Sequence, residues 1–218
     1  MTDWAAHADR EERRYRDGEN RLPGTADPDE RQRQLTRLGN AAGGAGLALL
    51  MQGSTGQAAT WFAHAAARYR ESFEGAPPGS WGRPIGALKA RLLAGDWAGA
   101  EEEARWTLEI GAADTESPIG RYAASLALLT LGRHDDARVL ADGLRTGGDF
   151  PAATGDALAM IAAEDPVGYV EAVEAVLESF ETRDAYLEDI PVADTVIVLQ
   201  ALAGRRGMAA ELTSPLLP

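Results

Sequence analysis

Two stretches of this chain are punctuated alike. "LLAGDWAGAEEEARWTL" runs over 92–108 and "LTLGRHDDARVLADGLR" over 129–145. In each, a leucine (Leu92, Leu129) stands three residues before a glycine (Gly95, Gly132). A ring (Trp97, His134) follows that glycine by two residues, and an alanine (Ala100, Ala137) follows it by five. Gly53, with Leu50 before it and Ala58 after it, keeps the leucine and alanine spacing. The intervals between the three glycines are 42 and 37 residues. Glycine reaches the left-handed backbone that ends a helix abruptly, and a small alanine lets the next helix approach closely. Each unit therefore reads as helix, tight corner, helix. A lone helical pair cannot cover its apolar stripe, so such pairs stack. The strongest constraint on the fold is thus an all-α chain of stacked antiparallel helical hairpins.

The remaining segments agree. Residues 2–18 read as a polar helix stopped by Gly18, and 19–30 as a loop around Pro23, Gly24 and Pro28. Asp27, Pro28 and Asp29 mark a helix start. Helices over 30–53 and 54–75 follow, ending at Gly53 and Gly75. A second breaker-rich loop, 76–84, precedes three helical pairs: 84–95 with 96–111, 117–132 with 133–148, and 150–165 with 166–184. The third pair has Glu164, Asp165 and Pro166 at its corner in place of glycine. In its second helix Val170, Val173, Leu177 and Phe180 line an apolar face, and Glu171, Glu174, Glu178 and Glu181 a charged one. A further apolar helix covers 190–207, within which "TVIVLQ" (195–200) is the one weak candidate for a strand. The expected organisation is a single all-helical domain over 1–218, with an N-terminal helix at 1–18, degenerate hairpin repeats over 33–184 and a helical cap over 190–218.

Charge and composition narrow the function classes. Acidic residues number 34 against 21 basic ones, a net charge of −13. A chain this negative repels phosphate backbones, so nucleic acid is not an expected partner. Lys89 is the only lysine beside 20 arginines. A high-GC coding sequence explains the arginines, and adaptation to high internal salt explains the acid excess and the missing lysines. On the second reading the acidity concerns the solvent more than a basic partner. There is no cysteine, which excludes disulfides, thiolate metal sites and cysteine nucleophiles. The longest apolar run with large residues, "GLALLM" (46–51), falls far short of the roughly 20 residues a membrane span needs. The opening stretch is charged throughout, unlike a secretory signal. A cytoplasmic location off the membrane is expected.

Few residues offer chemistry. His7, His64 and His134 are scattered, and none has metal-ligand spacing. His7 has Asp3 and Glu11 four residues to either side, which is ordinary for a polar helix. "GNAAGGAG" (39–46) has no strand before it and no Gly-Lys-Ser/Thr after it, so it reads as small residues for close helix packing, not a phosphate loop. The glutamate stripe and the run Glu101–Glu103 read as solvated faces. No catalytic residue, metal ligand or cofactor is assigned. Trp81 stands apart, because it sits among breakers in "PPGSWGRP", where packing does not oblige a ring. With Arg83 and Trp97 it forms the candidate partner-binding set.

At the glycine corners the sequence resembles the tetratricopeptide-repeat superfamily, whose corner reads Leu-Gly-x-aromatic-x-x-Ala. "AGDWAGA" (94–100) and "LGRHDDA" (131–137) look like it, with His134 in the aromatic place, and "QGSTGQA" (52–58) matches in glycine and alanine alone. The intervals exceed that family's repeat of about 34 residues. The first helices lack the family's Gly and Tyr spacing, and the proline between repeats appears only loosely, as Pro118 and Pro151. The resemblance implies a helical-hairpin solenoid over about 33–184 and no particular peptide-binding residue. The segment 190–218 is similar to the C-terminal end of an all-helical family of immunity proteins from bacterial toxin systems. In that family an apolar helix and a Gly-containing turn lead to a Ser-x-x-Leu-Pro ending, and Ser214, Leu217 and Pro218 stand in those places.

Three functions follow as expectations. The first is a non-enzymatic interaction module that holds a protein or peptide partner. The second is an immunity protein that neutralises a toxin. The third is a small-molecule-binding or catalytic helical protein with an acidic and arginine-lined pocket. The sequence is also compatible with a homo-oligomer.

Overall fold

Gly53, Gly95 and Gly132 all adopt left-handed backbone, with φ of +75°, +69° and +72°. Each closes its helix with the same two hydrogen bonds. The glycine N–H donates to the carbonyl three residues back, that of Leu50, Leu92 or Leu129, at 2.9–3.1 Å. The next N–H, of Ser54, Asp96 or Arg133, donates to the carbonyl five residues back at 2.9–3.0 Å. This double closure satisfies carbonyls that a helix end would otherwise leave open. The leucine of the sequence pattern is thus the residue whose carbonyl receives the glycine N–H. Ala58, Ala100 and Ala137, five residues after the glycines, are at most 1% exposed.

The computed structural model describes residues 2–146, 148 and 150–218. Met1, Gly147 and Asp149 lie outside the described residues, and with them the start of the expected 1–18 segment and part of the expected 133–148 helix. Among the described residues the regular elements are ten α-helices: α1 (Trp4–Arg21), α2 (Pro28–Met51), α3 (Thr55–Phe73), α4 (Gly82–Leu93), α5 (Trp97–Glu109), α6 (Pro118–Thr130), α7 (His134–Thr146), α8 (Ala152–Ala163), α9 (Pro166–Glu181) and α10 (Asp194–Gly204). Two single 3-10 turns, Leu22–Gly24 and Leu187–Asp189, complete them. The candidate strand "TVIVLQ" lies inside α10. No described helix is long and apolar enough to cross a membrane.

Contacts divide the chain into two units, one of residues 1–96, 184–192 and 218, the other of 97–183 and 193–217. In the first unit α1 packs on α2, α2 on α3 and α3 on α4. Close approach here depends on glycine. A Cβ at Gly39 or Gly86 would lie 2.9 or 2.7 Å from the ring of Tyr69, and one at Gly46 would lie 2.7 Å from the ring of Phe62. Within the "GNAAGGAG" run, Gly39 and Gly46 are therefore the positions at which α2 receives rings. Gly18 does not stop α1, contrary to the sequence expectation. It is buried inside the helix, where a Cβ would meet Leu38 at 2.7 Å, so it marks the α1–α2 crossing instead.

In the second unit α5 to α9 pack in sequence order, and α10 packs on α8 and α9. Leu126, Leu158, Tyr169, Val173 and Leu199 are fully buried there. The corner between α8 and α9 repeats the glycine geometry without glycine. Glu164 takes φ +57°, and Asp165 N–H donates to the Met160 carbonyl at 3.0 Å. Asp165 then caps α9 by accepting from Gly168 N–H at 3.0 Å, with Pro166 in the first turn, where its missing N–H costs nothing. The four stripe glutamates of α9 are exposed, while Val173, Leu177 and Phe180 are buried. Val170 is 36% exposed and leaves the expected apolar face. The chain end is tied down: Ala193 N–H donates to the Leu216 carbonyl at 3.0 Å, and Ser214 Oγ donates to Glu181 at 2.7 Å.

Candidate functional site

The residues singled out from sequence fall in both units. Trp81 and Arg83 belong to the first, Trp97 to the second. Trp81 is half-buried at the position where α4 starts, and its carbonyl accepts the Ile85 N–H at 3.2 Å. Arg83, on the first turn of α4, donates to the amide oxygen of Gln32 on α2, itself 5% exposed. The Arg83 Nε is buried with no hydrogen-bond partner, and burial lowers the guanidinium pKa. Arg83 thus ties α4 to α2.

Trp97 is the first residue of α5, and helical periodicity places Glu101 and Arg105 on its face of the helix. Arg205 follows the last residue of α10 and lies over the Trp97 ring, its guanidinium carbon 4.5 Å from the ring centroid. Glu101 accepts from Arg105 at 3.1 Å and stands 3.8 Å from Arg205. These side chains edge a pocket of about 340 Å³ that His134, at the start of α7, and Arg206 also line. Leu129, Ile161 and Leu202, each no more than 5% exposed, give it an apolar floor.

The cations of this pocket are not equivalent. Arg206 donates to the Ile161 and Ala162 carbonyls at 2.6 and 2.8 Å and to Glu164 at 2.6 Å. It satisfies the open C-terminal carbonyls of α8 and is structurally committed. The Arg205 guanidinium makes no hydrogen bond among the described residues. His134 Nδ1 is buried without a hydrogen-bond partner. Burial, and then the nearby Arg206 charge, push the His134 pKa below its ordinary value, against weaker opposing effects of Glu164 and Asp135. Both effects favour the neutral imidazole.

A second polar cluster lies in the first unit. Glu11, 0% exposed, accepts from Arg10 Nε and Arg14 Nη1, each at 2.7 Å. Arg14 also pairs with Glu188, which accepts from Asn40 at 3.0 Å, and Tyr69 donates to Asn40 at 2.8 Å. Hydrogen bonds and ion pairs account for every member, so the cluster fastens the 184–192 segment to α1 and α2.

No family model, curated protein or solved structure matches this chain.

Sequence reasoning singled out Trp97 but missed the pocket that Glu101, Arg105, His134 and Arg205 line together. The run Glu101–Glu103 was expected to be solvated, yet Glu103 is 4% exposed and Glu101 is shared between two arginines. One signal was available: an i, i+4, i+8 row of Trp97, Glu101 and Arg105 places a ring, an acid and a base on one helix face. The approach of Arg205, about a hundred residues along the chain, has no local signature.

Proposed function

We propose that this chain is a non-enzymatic protein-interaction module of the tetratricopeptide-like type, its hairpin repeats over 33–184 presenting a surface to a protein or peptide partner. The repeated corner carries the reading: Gly53, Gly95 and Gly132 share one backbone conformation, one pair of hydrogen bonds and a buried alanine five residues on. Helical repeats of constant geometry are a way to build an extended binding face. Trp81, Arg83 and Trp97 are the proposed partner-binding residues, the two half-buried rings as anchors. The resemblance of 190–218 to immunity proteins makes a toxin the narrower proposal for the partner, supported by how firmly Ser214 and Leu216 hold that ending in place.

The test is affinity capture at the salt of the native cell, identification by mass spectrometry, and reconstitution from purified components. A stoichiometric complex with one other protein is the expected result. A chain that recovers only itself overturns the reading in favour of self-association.

A second reading has its own support. The acid and arginine pocket beside Trp97, with Glu101, Arg105 and Arg205 at its edge and an apolar floor, suits a small molecule.

A further inference from the structure

We infer that the pocket edged by α5, the start of α7 and the end of α10 binds a small carboxylic acid with an apolar body, and that Arg205 is the residue that contacts the carboxylate. The inference rests on the small-molecule reading of this pocket and names its ligand.

Arg205 carries the argument. Its guanidinium is positioned by the Trp97 ring, yet its donors are spent on no acceptor, since Glu101 stands at 3.8 Å, beyond hydrogen-bond reach. A stacked guanidinium with open donors is preorganised for a planar carboxylate, because little side-chain freedom is lost on binding. Leu129, Ile161 and Leu202 form the floor and suit an aliphatic group next to the charged end.

Charge sets the ligand's valence. Arg206 is neutralised by Glu164 and held by two carbonyls, so it adds little. Arg105 and Arg205 against Glu101 leave one net positive charge in a chain of −13. That balance suits a monoanion, and the surrounding negative field disfavours a phosphate dianion or a polyanion. The volume of about 340 Å³ is at the small end for ligand pockets and accommodates a branched acid of six or so carbons.

The experiment titrates the full chain with 4-methylpentanoate, with 4-methylpentanol and with inorganic phosphate, read by calorimetry and by amide shifts of residues 97–105 and 129–134. The acid is expected to bind at least about tenfold more tightly than the alcohol, and Arg205→Gln to reduce that preference about tenfold. Arg205 is about half exposed, so this variant folds. Equal binding of acid and alcohol overturns the carboxylate claim and leaves the pocket reading standing. Phosphate binding without acid binding overturns the monoanion and apolar assignment. Shifts from none of the three overturn both the inference and the small-molecule reading, and leave the protein-partner reading to its own test.

Discussion

Arg205 lies over the face of Trp97, its guanidinium carbon 4.5 Å from the ring centroid, and so joins the start of α5 to the end of α10. A cation over an indole is worth about 0.5–1 kcal/mol at a half-exposed position. A double-mutant cycle of Trp97→Leu and Arg205→Gln, measured by denaturant unfolding, should return a coupling of that size. A coupling of zero would mean that the two side chains are merely adjacent.

Gly43 and Gly46 sit one turn apart on α2 with opposite surroundings. A Cβ at Gly43 meets nothing within 4 Å, whereas one at Gly46 meets the buried Phe62 ring at 2.7 Å. Gly43→Ala should stabilise the chain by about 0.5–1 kcal/mol, the usual gain for replacing a helical glycine. Gly46→Ala should cost about 1–3 kcal/mol through overpacking. Urea unfolding of both variants checks the pair, and the same sign for both would contradict the packing described.

The corners make a converse pair. Gly132 and Glu164 have nearly the same left-handed φ, +72° and +57°, but only one is glycine. Gly132→Ala should lose about 1 kcal/mol to backbone strain. Glu164→Gly should gain less than about 1 kcal/mol, because relief of strain is partly offset by loss of the exposed pair with Arg206. Thermal unfolding of each variant decides it.

His134 makes stability depend on pH in a definite direction. Its folded pKa lies below the unfolded value of 6.5, first through burial and then through Arg206. The unfolded chain therefore binds more protons as pH falls, and stability contributed by the neutral imidazole is present above about 6.5 and lost toward the lower folded pKa. Glu164 and Asp135, which raise the pKa, reduce the effect without reversing it. His134→Gln should flatten the part of the stability curve just below pH 6.5 relative to wild type, as read by denaturant midpoints across pH.

The sequence was most legible where a single residue type carries the geometry. Glycine spacing anticipated the three corners because only glycine takes left-handed backbone without strain. The same logic misled at Gly18, since a glycine inside a helix at a crossing and a glycine ending a helix look identical in sequence. It was silent at Glu164, where tertiary packing and the following Asp165–Pro166 start impose the conformation on a glutamate. Charge patterning was the least legible. Glu11 belongs to a polar-looking helix yet is wholly buried, because its partners Arg10 and Arg14 accompany it and Glu188 arrives from the far end of the chain. Arg205 reached Trp97 the same way, through a contact that no local pattern encodes.

The most direct test of the interaction-module account is the affinity of the reconstituted partner for wild type and for the Trp81→Ala/Trp97→Ala variant, measured by calorimetry at the salt of the native cell. Anchoring rings of this kind carry about 2 kcal/mol or more each, so the account predicts at least a hundredfold loss of affinity with the fold intact by circular dichroism. Unchanged affinity in a folded double variant would contradict it.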